Sequence, residues 1–133
     1  MNFKTCFFAF FILSLSSFIA CDKDDADPLE HLVGTWTLSS VNVDGQAGSG
    51  TGTITFNEDL TGTLALTYIG GGIQITRGGS FTYSATNDEI DFSGSGADPF
   101  TWERTENKND EQEFEFVETV GADNYDVRLN FTK

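Results

Sequence analysis

Histidine and cysteine are nearly missing from this 133-residue chain, which holds one histidine, His31, and two cysteines, Cys6 and Cys21. No His/Cys set stands at metal-ligand spacing, so no metal and no cofactor is expected. Asp22, Asp24, Asp25 and Asp27 cluster, but without the glycine and distal Glu of an EF-hand loop. A general base is short of candidates, and neither a nucleophile elbow nor a phosphate loop is present, so the chain is expected not to be an enzyme. Glu113 and Glu115 alternate with Phe114 and Phe116 and read as a solvated face rather than a hydrolytic carboxylate pair. Basic residues are scarce as well: seven Lys and Arg stand against 21 Asp and Glu, a net charge of −14. That balance argues against a nucleic-acid partner. Beyond the N-terminal segment, helical spacing lasts no more than a turn. The apolar run Thr5–Ala20 has 16 residues, short of the ~20 that a membrane-spanning helix needs.

That run has a clear grammar. Lys4 supplies a positive start, Phe7 to Leu15 is densely apolar, and the small residue Ala20 precedes Cys21. The arrangement resembles a bacterial lipoprotein signal peptide, which implies cleavage before Cys21 and acylation of its thiol. Residues 1–20 are then the signal and residues 21–31 a lipidated acidic tether, held extended by like-charge repulsion. Cys6 leaves with the signal, so the mature chain has no second thiol for an intramolecular disulfide. Lys23-Asp24-Asp25 resembles the export signal of surface lipoproteins in Bacteroidota. The resemblance implies a bacterial outer-membrane lipoprotein, exposed at the surface and held to the membrane through acyl chains on Cys21.

The 113 residues from Cys21 onward carry 21 acidic residues against six Lys and Arg, a net charge of −15. They suffice for one domain, at residues 32–133. Apolar and polar residues alternate with period two: Ile54 and Phe56; Leu64, Leu66 and Tyr68; Ile73 and Ile75; Phe81 and Tyr83; Ile90 and Phe92; Phe100 and Trp102; Phe114 and Phe116; and Tyr125 to Phe131. This is the signature of antiparallel strands with one buried face. Turn chemistry separates the runs at Asp44-Gly45, Gly48 to Gly50, Gly70 to Gly72, Gly78-Gly79, Asn87-Asp88, Asp98-Pro99, Asn107 to Glu111 and Gly121 to Asn124. Trp36 and Leu38 have one parity and Val41 and Val43 the other, which calls for a bulge near Ser39-Ser40. The expected fold is all-β: an eight- or nine-stranded antiparallel up-and-down barrel.

Leu32-Val33-Gly34-Thr35-Trp36 resembles the Gly-x-Trp motif that opens lipocalins and related calycins, and Gly52 to Asp59 with Thr61-Gly62-Thr63 resembles the second hairpin of small lipocalin-like lipoproteins. The resemblance makes Gly34 and Trp36 structural markers of a lipocalin-like barrel. It also implies an Arg near the last strand packed on Trp36. Arg128 lies in that region but has the outward parity.

The mature chain holds seven Phe, three Tyr and two Trp, all on apolar parity. Each buries about 150–250 Å², enough together to fill much of an eight-stranded lumen. Two cations share the inward parity: Arg77 follows Ile75, and Arg104 follows Trp102. Each either snorkels to the rim and pairs with a nearby carboxylate, or orients the head group of an amphiphile beside Tyr68 and Trp102. Two functions follow. In one, the barrel is a non-enzymatic envelope lipoprotein that binds a small apolar or amphiphilic ligand through Arg77, Arg104, Tyr68 and Trp102. In the other, the barrel is filled and binds another envelope protein or a glycan through loops such as Asp44 to Gly52 and Glu106 to Glu113 or through its acidic face.

Overall fold

A computed structural model describes residues 27–94 and 97–133 and, of residues 97–99, the backbone alone. The expected signal and the lipidation position Cys21 lie outside the described residues. Nine strands follow in order: β1 (Gly34–Val43), β2 (Gln46–Ala47), β3 (Ser49–Phe56), β4 (Thr61–Gly70), β5 (Ile73–Ala85), β6 (Glu89–Gly94), β7 (Ala97–Asn107), β8 (Glu111–Val120) and β9 (Asp123–Thr132). All pairings are antiparallel between neighbours in an up-and-down order, and β1 pairs with β9 to close the sheet. The result is a closed eight-stranded antiparallel barrel with the two-residue β2 added beside β1. Closure removes the exposed edges that an open sheet of this length would present.

Local chemistry explains the tight connections. Asp44 (φ 50°) and Gly45 (φ 77°) join β1 to β2, and Gly71 (φ 57°) and Gly72 (φ 82°) join β4 to β5. Paired positive φ values mark primed turns, whose twist suits a hairpin. In β1 the register shifts between Leu38 and Ser40, so Trp36 and Leu38 below the bulge and Val41 and Val43 above it all face the core. The parity change in the sequence has this cause.

Two expected turns are strand instead. Gly78-Gly79 lies inside β5, paired with Ala65 and Leu64 of an unbroken β4. Gly79 takes φ 137°, so the pair bends the strand without ending it. Asp98-Pro99 falls within β7, where two residues stand opposite Ser93 between the pairs Phe92↔Phe100 and Gly94↔Ala97. A bulge tolerates proline's missing N–H. The segment Asp44 to Gly52 is not a loop beyond its first turn: Gly50 and Gly52 belong to β3. A Cβ on Gly52 would stand 2.0 Å from the Ala65 carbonyl oxygen, so only glycine lets β3 approach β4 there.

Inward side chains pack into one core cluster. Nine of the twelve aromatics from residue 27 onward are buried, and Phe100, Phe116 and Tyr125 pack partly buried against them. The rings form a continuous chain. Phe81 meets Phe92 edge-on at 5.1 Å, Phe92 meets Trp102 at 4.8 Å, and Trp102 stacks on Phe116 at 4.8 Å and 12°. Edge-on and offset contacts of this kind add about 0.5–1.5 kcal/mol each beyond burial.

Candidate functional site

The two inward cations lie at opposite ends of the barrel. One end, where β1 starts and β9 finishes, is capped by the Pro28–Val33 turn. The far end carries the β4–β5 and β8–β9 turns.

Toward the far end, Tyr68 of β4, Arg77 of β5 and Glu118 of β8 meet across the lumen. Inward parity places each of them: Tyr68 follows Leu64 and Leu66, Arg77 follows Ile73 and Ile75, and Glu118 follows Phe114 and Phe116. The Tyr68 hydroxyl donates to Glu118 Oε2 at 3.0 Å, and Arg77 Nη2 donates to both carboxylate oxygens at 2.8 and 2.7 Å. Arg77 also lies over the Phe100 ring, 5.1 Å from its centroid. Burial pushes the Tyr68 phenol well above its ordinary value, and the neighbouring Glu118 charge adds to the shift. Glu118 itself is buried at 7 % exposure, so its three bonds offset the cost of taking a carboxylate out of water. The cluster ties β4 and β5 to the opposite wall. Arg77 Nε is buried without a hydrogen-bond partner among the described residues, as are Trp102 Nε1 and Arg104 Nε elsewhere in the core.

Arg104 sits at the capped end and does not reach the rim. Its Nη1 donates to the carbonyls of Pro28 at 2.9 Å and Thr86 at 2.7 Å, and its Nη2 to Gln112 Oε1 at 3.3 Å. Burial lowers its pKa, opposed by the nearby Asp88 charge. Gln112, fully buried, donates in turn to Asn107 and to the Lys108 and His31 carbonyls. His31, the single histidine, therefore enters this network through its backbone. Leu29, within the expected tether, packs against the core, and Leu32 is fully buried.

Trp36 is also fully buried here, its Nε1 donating to the Leu32 carbonyl at 2.7 Å. The cation on its ring is Lys133, whose Nζ stands 4.4 Å from the centroid and donates to the Val33 carbonyl at 3.0 Å. Gly34 makes room for it: a Cβ there would come within 3.0 Å of Lys133 Cε, and φ is 131°. Arg128 faces outward and pairs with Glu113 and Glu115.

The structure thus brings Tyr68 and Arg77 together, links Trp102 to them through Phe100 (5.9 Å between ring centroids), and puts Arg104 elsewhere. Sequence reasoning missed Glu118, Gln112 and Lys133. The first two share the inward parity of Phe114 and were legible by it, and Lys133 shares the inward parity of Leu129 and Phe131.

A concavity of about 750 Å³ lies on the outer wall. Four acidic residues, Glu89, Glu103, Glu115 and Asp126, line it with Arg128 and Val117. Glu89, Glu103, Glu115 and Arg128 are successive register partners across β6 to β9, so they form one row around the barrel. No protein-family model matches the chain, and no curated protein matches it either.

Proposed function

We propose that this protein is a non-enzymatic lipoprotein of a bacterial outer membrane, exposed at the surface. In this reading it works as a filled, lipocalin-like barrel that binds another envelope protein or a glycan through its exterior. The observation that carries the reading is the use already made of the interior. Aromatic rings occupy the lumen, Arg77 is held by Glu118, and Arg104 is held by backbone carbonyls. Neither guanidinium is left at an open rim for a head group. The exterior, by contrast, offers an acidic groove with the exposed Val117 in it.

Lipid attachment at Cys21 follows from the signal-like segment that ends at Ala20. Metabolic labelling with a fatty-acid analogue should mark the wild type and not Cys21→Ala, which should leave the membrane fraction. Equal labelling of both contradicts the anchor. For the exterior, a photo-crosslinking residue at Thr101 in the groove should capture a discrete envelope adduct in cells, and the same residue at Thr63 on the other side of the barrel should not. Equal capture at both positions contradicts a dedicated wall.

A second reading has one observation in its favour. Arg77 Nε and Trp102 Nε1 are buried N–H groups without a partner among the described residues, and a small ligand carrying an acceptor oxygen would satisfy either of them. In that reading Arg77, Tyr68 and Trp102 form the site, and the ligand is small and amphiphilic.

A further inference from the structure

Taking the lipidated Cys21 of the proposed function as its starting point, we propose that the Pro28–Val33 turn fixes the barrel's orientation on the membrane. The capped end faces the bilayer, and the rim bearing the β1–β2, β4–β5 and β8–β9 turns faces away from it.

The argument begins at the turn. It is not a loose leader but a part of the fold, held at three points by side chains from three parts of the sequence. Arg104 of β7 takes the Pro28 carbonyl, Gln112 of β8 takes the His31 carbonyl, and Lys133 takes the Val33 carbonyl while covering Trp36. Leu29 and Leu32 pack beneath these bonds. The chain therefore enters the barrel rigidly at the capped end, and whatever holds the N-terminus holds that end.

Length then decides the orientation. Six residues lie between Cys21 and Pro28, and the seven Cα-to-Cα steps reach about 25 Å at full stretch. Strands of ten residues such as β4 and β8 run about 33 Å and, at barrel tilt, stand about 25 Å high. To bring the far rim to the bilayer, the tether would have to lie fully stretched along the wall. Charge opposes that path, because Asp22, Asp24, Asp25 and Asp27 would run beside a barrel that is itself strongly acidic. The rim held away from the lipid is also where the fold leaves apolar side chains uncovered. Ile69 (47 %), Val117 (60 %) and Val120 (38 %) lie in the strands that run to its turns, and among the described residues Leu60 is the one such residue near the capped end.

The test uses the full lipidated chain in vesicles that carry a quencher on the lipid head group. Acylation of Cys21 leaves the mature chain without a free thiol, so a fluorophore goes on a single new cysteine: Asn109→Cys at the capped end or Ala122→Cys at the far rim, both exposed. The Asn109→Cys probe should lose most of its emission and the Ala122→Cys probe little. Inserting about 20 Gly/Ser residues between Asp25 and Ala26 should erase the contrast, since such a linker spans about 25 Å as a random coil and releases the end it holds. This insertion leaves the folded residues intact, unlike substitution of Arg104 or Lys133. Equal quenching of the two probes in protein that sediments with the vesicles, or stronger quenching at the rim, overturns the orientation. Protein that fails to sediment overturns the lipid anchor itself, and the orientation with it.

Discussion

At the scale of single residues, the fold rests on two buried knots at opposite ends of one lumen. Trp36 anchors the first. Its ring is fully buried, its N–H is bonded to Leu32, and its face is covered by Lys133. Trp36→Ala should cost about 3–5 kcal/mol, a large share of a small domain's stability. A denaturant melt showing a loss below about 1 kcal/mol would contradict this packing. Tyr68 belongs to the second knot. Because burial and Glu118 raise its pKa, the folded state favours the neutral phenol. The stabilisation is therefore complete below the ordinary phenol value of 10.0 and shrinks above it, as tyrosine in the unfolded chain ionises first. Followed at the tyrosinate absorbance band, the folded protein should show late ionisation above that value, and Tyr68→Phe should remove one phenol from it, leaving that of Tyr83, which burial also raises. A wild type that completes its titration near the ordinary value would contradict the Tyr68–Glu118 contact. The sequence disclosed part of these knots. Parity alone put Arg77, Tyr68, Trp102 and Trp36 inside. It equally marks Glu118 and Gln112, but a polar residue at an inward position reads as an exception until its partner is seen. Lys133 has the inward parity of Leu129 and Phe131, but its place over Trp36 also depends on the missing Cβ of Gly34, far off in the sequence.

At the scale of elements, the alternation in the sequence carried most of the strands, and the errors were errors of punctuation. The bulge after Leu38 was legible because two pairs of apolar residues changed parity across it. Gly78-Gly79 misled because two glycines are ordinary turn chemistry. The discriminating signal was present all the same: Ile73, Ile75, Arg77, Phe81 and Tyr83 keep one parity straight through the pair, as only a continuous strand does. Pro99 misled for the same reason, and its tolerance depends on a bulge that the partner strand β6 defines. Gly52 exemplifies glycine used for close approach. Gly52→Ala must strain a backbone at φ 131° and push a methyl group against the Ala65 carbonyl. It should cost about 1–3 kcal/mol, whereas Gly72→Ala, with open space around its Cβ position, should pay the φ cost alone. Paired thermal melts check the ranking, and a Gly52→Ala protein at least as stable as Gly72→Ala would contradict the β3–β4 packing.

At the scale of the whole molecule, the all-β class and the strand number came from the sequence, while the relation between the two arginines did not. Arg77 and Arg104 look equivalent in one dimension, since each follows two apolar residues of its own parity. β5 and β7 run the same way, so the separation comes from position along the strand: Arg77 lies near the start of β5, which continues through Gly78-Gly79, and Arg104 lies near the end of β7. Closure of β1 on β9 pairs positions some ninety residues apart. Closure also decides that the space between the strands is core. The central claim is that this core leaves no room for an amphiphile. The most direct measurement is a displacement titration of a fluorescent fatty acid on residues 22–133, with Arg77→Ala and Arg104→Ala run beside the wild type. The account predicts no saturable binding to any of the three proteins. Micromolar binding to the wild type, roughly −8 kcal/mol, weakened by about 1.5–3 kcal/mol in either arginine variant, would contradict it.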